Sequence, residues 1–213
     1  TFLRRSHDYI KHSLEGATKE EIQIALDSVV LDYNVNYNEK ERIKKLIEEY
    51  VKDGSYVPSL SADASVFNMV LDNRELFMKC VESNFSMIQY SKGDLLTFTK
   101  EEQEKIYELF KAQEDSIKEN QDIQEAMKKN SFYVMDYVRE NLDKIDEVSF
   151  DGLKLTDEFK QMVIKHYLAN GIKVSESTPK FVREDSSFVY NYIKNNGGEL
   201  AGLDVLEVAP LLR

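Results

Sequence analysis

The stretch YVMDYVREN, residues 133–141, sets two pairs of apolar or aromatic side chains, Tyr133-Val134 and Tyr137-Val138, four positions apart and closes them with Asn141. Spacing at i, i+1, i+4 and i+5 puts all four on one side of an α-helix, and the polar residue four further on marks where that helix stops. The same phrase returns along the chain. Leu76-Phe77 and Cys80-Val81 end at Asn84, Met162-Val163 and His166-Tyr167 at Asn170, and Phe188-Val189 and Tyr192-Ile193 at Asn196. Two looser copies run from Leu46-Ile47 through Tyr50-Val51 to Gly54, and from Lys105-Ile106 through Leu109-Phe110 to Gln113. Starts at 46, 76, 105, 133, 162 and 188 lie 26 to 30 residues apart, the mark of an array whose units bury one another's apolar faces. The sequence therefore predicts an all-α protein. A helical cap over residues 1–57 is followed, over 58–213, by a right-handed, solenoid-like stack of short helical repeats of about 29 residues. Gly54, Asn84, Gln113, Asn141, Asn170 and Asn196 are the expected helix-stop positions. Asn and Gly tolerate the left-handed backbone that ends many helices, so that conformation is the expected cause of the stops.

Working outward, local signals place the remaining helices. A first helix is expected from Phe2 to Glu15, closed by Gly16. Thr18 and Glu21 form a capping-box pair before the stripe Ile22, Ala25, Leu26, Val29 and Val30. The Asn-rich stretch 32–38 reads as a loop, and the helix-breaking run 55–61 supplies the internal boundary. Residues 63–83 read as helix with a break near Asn73, and 84–98 as loop or short helix. Thr99 with Glu102 repeats the capping box. From 101 to 129 the apolar stripe is thin (Ile106, Phe110, Ile117, Ile123, Met127), which favours helices broken near Gln113 over one rod of ~40 Å. Asn130, Thr156 and Asp185 are expected N-caps, and Gly152, Gly171 and Gly197-Gly198 turns or C-terminal caps. A closing apolar segment, Leu203–Leu212, contains Pro210.

Composition narrows the chemistry. Three prolines and eight glycines in 213 residues argue against many short strands. The apolar runs fall far short of the ~20 residues that cross a bilayer, and no secretory leader pattern opens the chain. Cys80 is the single cysteine, so neither an intrachain disulfide nor a cysteine zinc site is expected, and a small buried hydrophobe in a reducing, cytoplasmic setting is. A net charge of -11 repels phosphate backbones and makes nucleic acid an unlikely partner. Basic residues do cluster at Arg4-Arg5, at Lys40, Arg42, Lys44 and Lys45, and at Lys128-Lys129. The middle cluster is interleaved with Glu39, Glu41, Glu48 and Glu49, the look of a solvated helix face. His7 and His12 are five apart and cannot share a metal from one helix face, and the His7-Asp8 dipeptide lacks further ligands nearby. His166 reads as a core or boundary residue. No phosphate loop, calcium loop or nucleophile elbow occurs, so no catalytic residue, cofactor or metal is expected and the chain reads as a non-enzyme.

The stretch FVREDSSFVYNYIKNNG, residues 181–197, resembles a tandem α-helical repeat of unknown function found in bacterial and protist proteins. The resemblance covers roughly residues 63–213 and implies an all-helical array, often within a larger multidomain protein, and it carries no catalytic residues. Tyr50, Tyr107, Tyr133, Tyr137, Tyr167, Tyr190 and Tyr192 fall in or beside the repeats and offer material for a semi-polar binding face. The expected function is a non-catalytic protein–protein interaction or scaffold module with a protein partner. The alternative is a structural or regulatory segment of a larger bacterial or phage protein, which a first residue of Thr and the apolar end at Arg213 favour.

Overall fold

Side chains that accept hydrogen bonds from otherwise orphaned N–H groups fix where the helices begin. In the computed structural model, which describes residues 6–91 and 93–196, all regular structure is helical and no strand occurs among those residues. The start expected at Phe2, the Arg4-Arg5 spot, Gly197-Gly198 and Leu203–Leu212 lie outside the described residues. The first helices are α1 (His7–Leu14), α2 (Lys19–Asp27) and α3 (Tyr37–Lys52). Thr18 opens α2 with a full capping box: its Oγ1 accepts from Glu21 N at 3.2 Å, while its own N–H donates to Glu21 Oε2 at 2.8 Å. Asn36 caps α3. α4 (Ala64–Asp72) and α5 (Arg74–Ser83) divide at Asn73, whose side chain accepts from Leu76 N. Short 3-10 helices follow at Phe85–Tyr90 and Asp94–Thr97. Thr99 and Glu102 then form a second reciprocal pair at the head of α6 (Lys100–Lys111). The charged segment after it breaks at Gln113 into α7 (Glu114–Ile117) and α8 (Gln121–Met127). Asn130, Thr156 and Asp185 cap α9 (Ser131–Glu140), α10 (Asp157–Ala169) and α12 (Ser186–Asn195), with the four-residue α11 (Lys180–Arg183) before the last.

The chain forms two compact units, Thr1–Lys92 with Glu108–Ala126, and Gly93–Tyr107 with Met127–Arg213. This division differs from the boundary expected at 57/58, and within the first unit a polar clamp holds the run after α3 to α2. Asp27 on α2 accepts from Tyr56 Oη (2.8 Å), Ser59 N (3.2 Å) and Ser59 Oγ (2.8 Å), and Gln23 Nε2 donates to Val57 O at 2.8 Å. The helix-breaking run is thereby stitched onto α2. In the first unit α1 packs on α2 and α3, α3 on α5, and α5 on α4 and the 3-10 helix after it. Ile10, Leu14, Ile22, Leu26, Ile43, Ile47, Leu76 and Val81 are buried there, and Phe85 meets Phe110 at 6.2 Å between ring centres. Each such aliphatic side chain contributes about 1.5–3 kcal/mol relative to exposure.

The second unit is built on Val134, Val138, Ile145, Phe159, Val163, Tyr167, Val182, Phe188 and Val189, with Phe150 edge-on to Phe181 at 5.6 Å. α10 packs on α11 and α12. Beside this apolar core lies a buried amide network. Gln103 donates from Nε2 to Leu95 O (3.0 Å) and Phe98 O (3.3 Å) and accepts Ser131 N at 2.9 Å. Asn130 donates to Gln103 O at 2.7 Å and accepts from Phe132 N and Tyr133 N. Lys154 adds its Nζ to Phe98 O.

One local unit recurs. α5 and α9 are both ten residues long, and each is followed by an Asn and a six-residue 3-10 helix, Phe85–Tyr90 and Leu142–Glu147. Within the six sequence copies the second residue of the first pair is always buried: Ile47, Phe77, Ile106, Val134, Val163 and Val189. Four residues on, Val51, Val81, Phe110, Val138 and Tyr167 are buried in turn, and in the last copy Tyr192 takes that role. Leu46, Leu76, Cys80 and Phe188 are buried as well, so in those copies both members of a pair enter the core.

Candidate functional site

The expected stop positions all fall at helix ends, but a left-handed backbone does not make most of them. Only Gly54 has it, at φ 77°. There Ser55 N reaches back to Tyr50 O (2.9 Å) and Gly54 N to Val51 O (3.1 Å), the double closure of a Schellman motif. α10 ends the same way, but its left-handed residue is Gly171 (φ 58°), one beyond Asn170, with Ile172 N donating to Tyr167 O at 3.1 Å. Four amide residues close their helices by side chain instead. Gln113 donates to Leu109 O (3.1 Å), Asn141 to Tyr137 O (2.8 Å), Asn170 to His166 O (2.9 Å) and Asn196 to Tyr192 O (2.8 Å). Gln113 and Asn141 thereby satisfy carbonyls that the helix end leaves open, while Asn170 and Asn196 add a second bond to carbonyls that their own N–H groups already reach. Asn84 is extended, ending α5 and accepting from Ser86 N for the next turn. These positions are architectural: each acts at the end of its own helix.

Chemistry-bearing residues are spoken for. The His7 ring nitrogen lies 2.9 Å from Asp8, and Arg42 reaches both residues while also binding Glu39 at 3.2 Å. The hydrogen bond from His7, then the Arg42 charge, holds the exposed Asp8 carboxyl below its usual range. Lys44 pairs with Glu41, so the basic cluster near 40 is largely answered by carboxylates. Cys80 is fully buried, and burial pushes its thiol up to about 12, which leaves it unreactive. His166 contacts Asn170 and the edge of Tyr167. Among the described residues no group of three or more His, Cys, Asp or Glu is placed to hold a metal ion, and no helix is long and apolar enough to cross a membrane.

The tyrosines named above differ in exposure. Tyr167 and Tyr192 are buried, donating to Asp146 and accepting from Val174 N respectively, while Tyr50, Tyr107 and Tyr133 are half-buried. Only Tyr137 and Tyr190 stand exposed. The second unit also has an open cleft of about 740 Å³ lined by Phe150, Phe181, Lys160, Lys180, Arg183, Asp151 and Glu184 among others. Its cations are held by Asp157, Glu184 and the Thr178 carbonyl, so it offers no concentrated charge.

Apolar surface is concentrated elsewhere. Of the eight large apolar side chains exposed among the described residues, six precede residue 61: Tyr9, Ile24, Val30, Tyr33, Tyr37 and Leu60. The first two line a groove of about 340 Å³ between α1 and α2, together with Ile10, Ser13, Glu21, Ala25, Ser28 and Val29. α2 turns Ile22 and Leu26 into the core, and Ile24 lies about 200° around the helix from Ile22, so it points outward and is 71% exposed. The predicted stripe on α2 did not include Ile24. The signal was there, since an Ile off the stripe of a well-patterned helix has no core to enter. Val30, expected on the stripe, lies outside the helix and is exposed.

The fold and this groove define an all-helical protein with an apolar surface at its N-terminal helix pair. Compared with models of protein families, with curated proteins and with solved structures, the chain gives no match.

Proposed function

We propose that this chain is a non-catalytic protein–protein interaction or scaffold module of the cytoplasm. In this reading its repeats, akin to the tandem helical family it resembles, form a right-handed stack, and the α1–α2 pair is the contact surface. The supporting observation is that most exposed apolar side chains precede residue 61, with Ile24 and Tyr9 both lining one groove. Exposed apolar side chains that share a groove, as Tyr9 and Ile24 do, mark sites where another molecule can exclude water. Large side chains such as Ile24 and Tyr9 supply about 1.5–3 kcal/mol each when a partner buries them. A photo-crosslinking residue at position 24, or at Tyr33, expressed in the native host, is expected to trap a discrete protein. The same residue at exposed Lys52 should not. Equal, diffuse labelling at all three positions would sink the reading.

A further inference from the structure

We propose that Asn170 is a self-modifying site: its side chain closes on the Gly171 nitrogen to a succinimide, releasing ammonia, and water reopens the ring to aspartate or isoaspartate. This stands apart from the interaction reading above. The reaction needs the backbone nitrogen after an Asn to reach that side chain's carbonyl carbon, and only glycine brings no Cβ to shield that nitrogen. Asn-Gly occurs twice, at 170–171 and at 196–197, and the second pair extends beyond the described residues. Asn170 and Gly171 are both exposed, so base and water reach them. In the first step the Gly171 N–H gives its proton to a solvent base, the N–Cγ bond forms, Cγ–Nδ2 breaks, and ammonia leaves with a proton taken from water. In the second step water adds to one ring carbonyl. Cleavage at Cγ leaves aspartate, whereas cleavage at the former main-chain carbonyl leaves isoaspartate, with the chain now running through Cβ and Cγ.

The helix end sets both the pace and the consequence. Ring closure eclipses Cβ with the Gly171 nitrogen about the Cα–C bond. Asn170 has ψ 2°, which puts its own backbone nitrogen there instead, so that bond must turn first. What resists the turn is local. Gly171 N reaches Leu168 O only at 3.4 Å, Ile172 N holds Tyr167 O at 3.1 Å, and the Asn170 amide holds His166 O at 2.9 Å with the ring Nδ1 3.2 Å away. Bonds in an exposed last turn open far more readily than the core unfolds. Asn141 is the matched contrast: its amide also reaches back four residues, to Tyr137 O, but Leu142 follows it and screens the nitrogen. The product does not restore the end of α10. A carboxylate cannot donate to His166 O, and its charge opposes the carbonyl end of the helix dipole. Isoaspartate also adds a backbone atom between Tyr167 and Ile172, which upsets the 3.1 Å closure. The change runs one way, and it loosens the last turn of α10.

The test incubates the full 213-residue chain at pH 8.5 and 37 °C, beside a sample kept unfolded in guanidinium chloride, and follows tryptic peptides by mass spectrometry. Residues 166–173 (HYLANGIK) and 140–144 (ENLDK) each contain a single Asn, 170 and 141. In the folded chain the first is expected to convert at least about tenfold faster than the second, to two chromatographically separate products of equal mass. Gly171→Ala decides whether the neighbouring nitrogen is the attacking group. The added Cβ meets nothing within 4 Å, but at φ 58° it strains the turn and opens the helix end more often. Conversion should nevertheless slow at least about fivefold, because the Cβ shields the nitrogen. The product's effect is read on Asn170→Asp, whose thermal midpoint should fall by about 2–4 °C. Equal conversion of the two peptides overturns the proposal, as does a Gly171→Ala chain that converts undiminished. So does a folded chain whose 166–173 peptide stays intact after the unfolded sample has converted fully. An Asn170→Asp midpoint equal to the wild type's refutes the loosening of α10.

Discussion

The two units secure their irregular segments by opposite chemistry. In the first, one carboxylate, Asp27, gathers the hydroxyl of Tyr56 and the N–H and hydroxyl of Ser59. In the second, two neutral amides do it: Gln103 and Asn130, 1% and 0% exposed, hold Leu95, Phe98, Ser131, Phe132 and Tyr133. An ionised carboxylate accepts only, so it suits a place where several donors converge near solvent and its charge stays hydrated. An amide both donates and accepts, so it can be sealed in the core with every bond made and no charge to desolvate. The clamp can therefore sit at a surface and the network cannot.

That contrast can be broken most severely at Gln103. Gln103→Ala takes from the Ser131 N–H its acceptor in the core, removes one of two partners from Leu95 O and Phe98 O and leaves a cavity, and urea unfolding should show a loss of about 2–4 kcal/mol. Asp27→Ala leaves the buried Tyr56 hydroxyl without this acceptor, while the half-buried Ser59 can turn to water, so about 1–3 kcal/mol is expected, with faster proteolysis within residues 55–61 as the sharper readout. Smaller again is Tyr56→Phe, at about 1 kcal/mol at neutral pH, and this variant also carries a pH signature. Burial, then the hydrogen bond and charge of Asp27, raise the Tyr56 phenol well above its ordinary value, and burial with the bond to Asp146 raises Tyr167 likewise. A group whose folded pKa is raised contributes stability that is complete below its unfolded pKa and lost as pH climbs above it. Native stability should accordingly fall as pH rises through 10, where free tyrosine ionises, and Tyr56→Phe should flatten that decline when urea midpoints are compared at pH 7 and 10.5. The least effect belongs to the helix stops. Asn141→Ala removes one 2.8 Å bond at an exposed end and should cost about 0.5–1 kcal/mol by thermal melting.

Capping was legible in the sequence because it is local. Thr18 with Glu21, Thr99 with Glu102, and Asn130, Thr156 and Asp185 all act within three residues of themselves, and the breaks at Asn73 and Gln113 follow from thin or interrupted stripes. The amide network was not legible. Gln103 sits in the run KEEQEK, which reads as a solvated face, and its partners lie 5, 8 and 28 residues away. Only its place one turn before buried Ile106, on the ridge leading to Phe110, hinted that it faces inward. The clamp was hidden for the same reason: Asp27 closes on residues some 30 positions later, so the run 55–61 looked like a boundary when it is tied down. For the groove, the groups were visible as an off-stripe Ile24 and an early Tyr9, but their meeting depended on how α1 packs on α2.

The amide stops carry a consequence for how such a chain changes over generations. At Gln113, Asn141, Asn170 and Asn196 the helix is closed by a side chain reaching back four residues to its own last turn. Everything needed for the ending is encoded in a handful of codons, and no distant residue has to be altered with it. A coding segment that carries such a helix therefore also carries its own terminator.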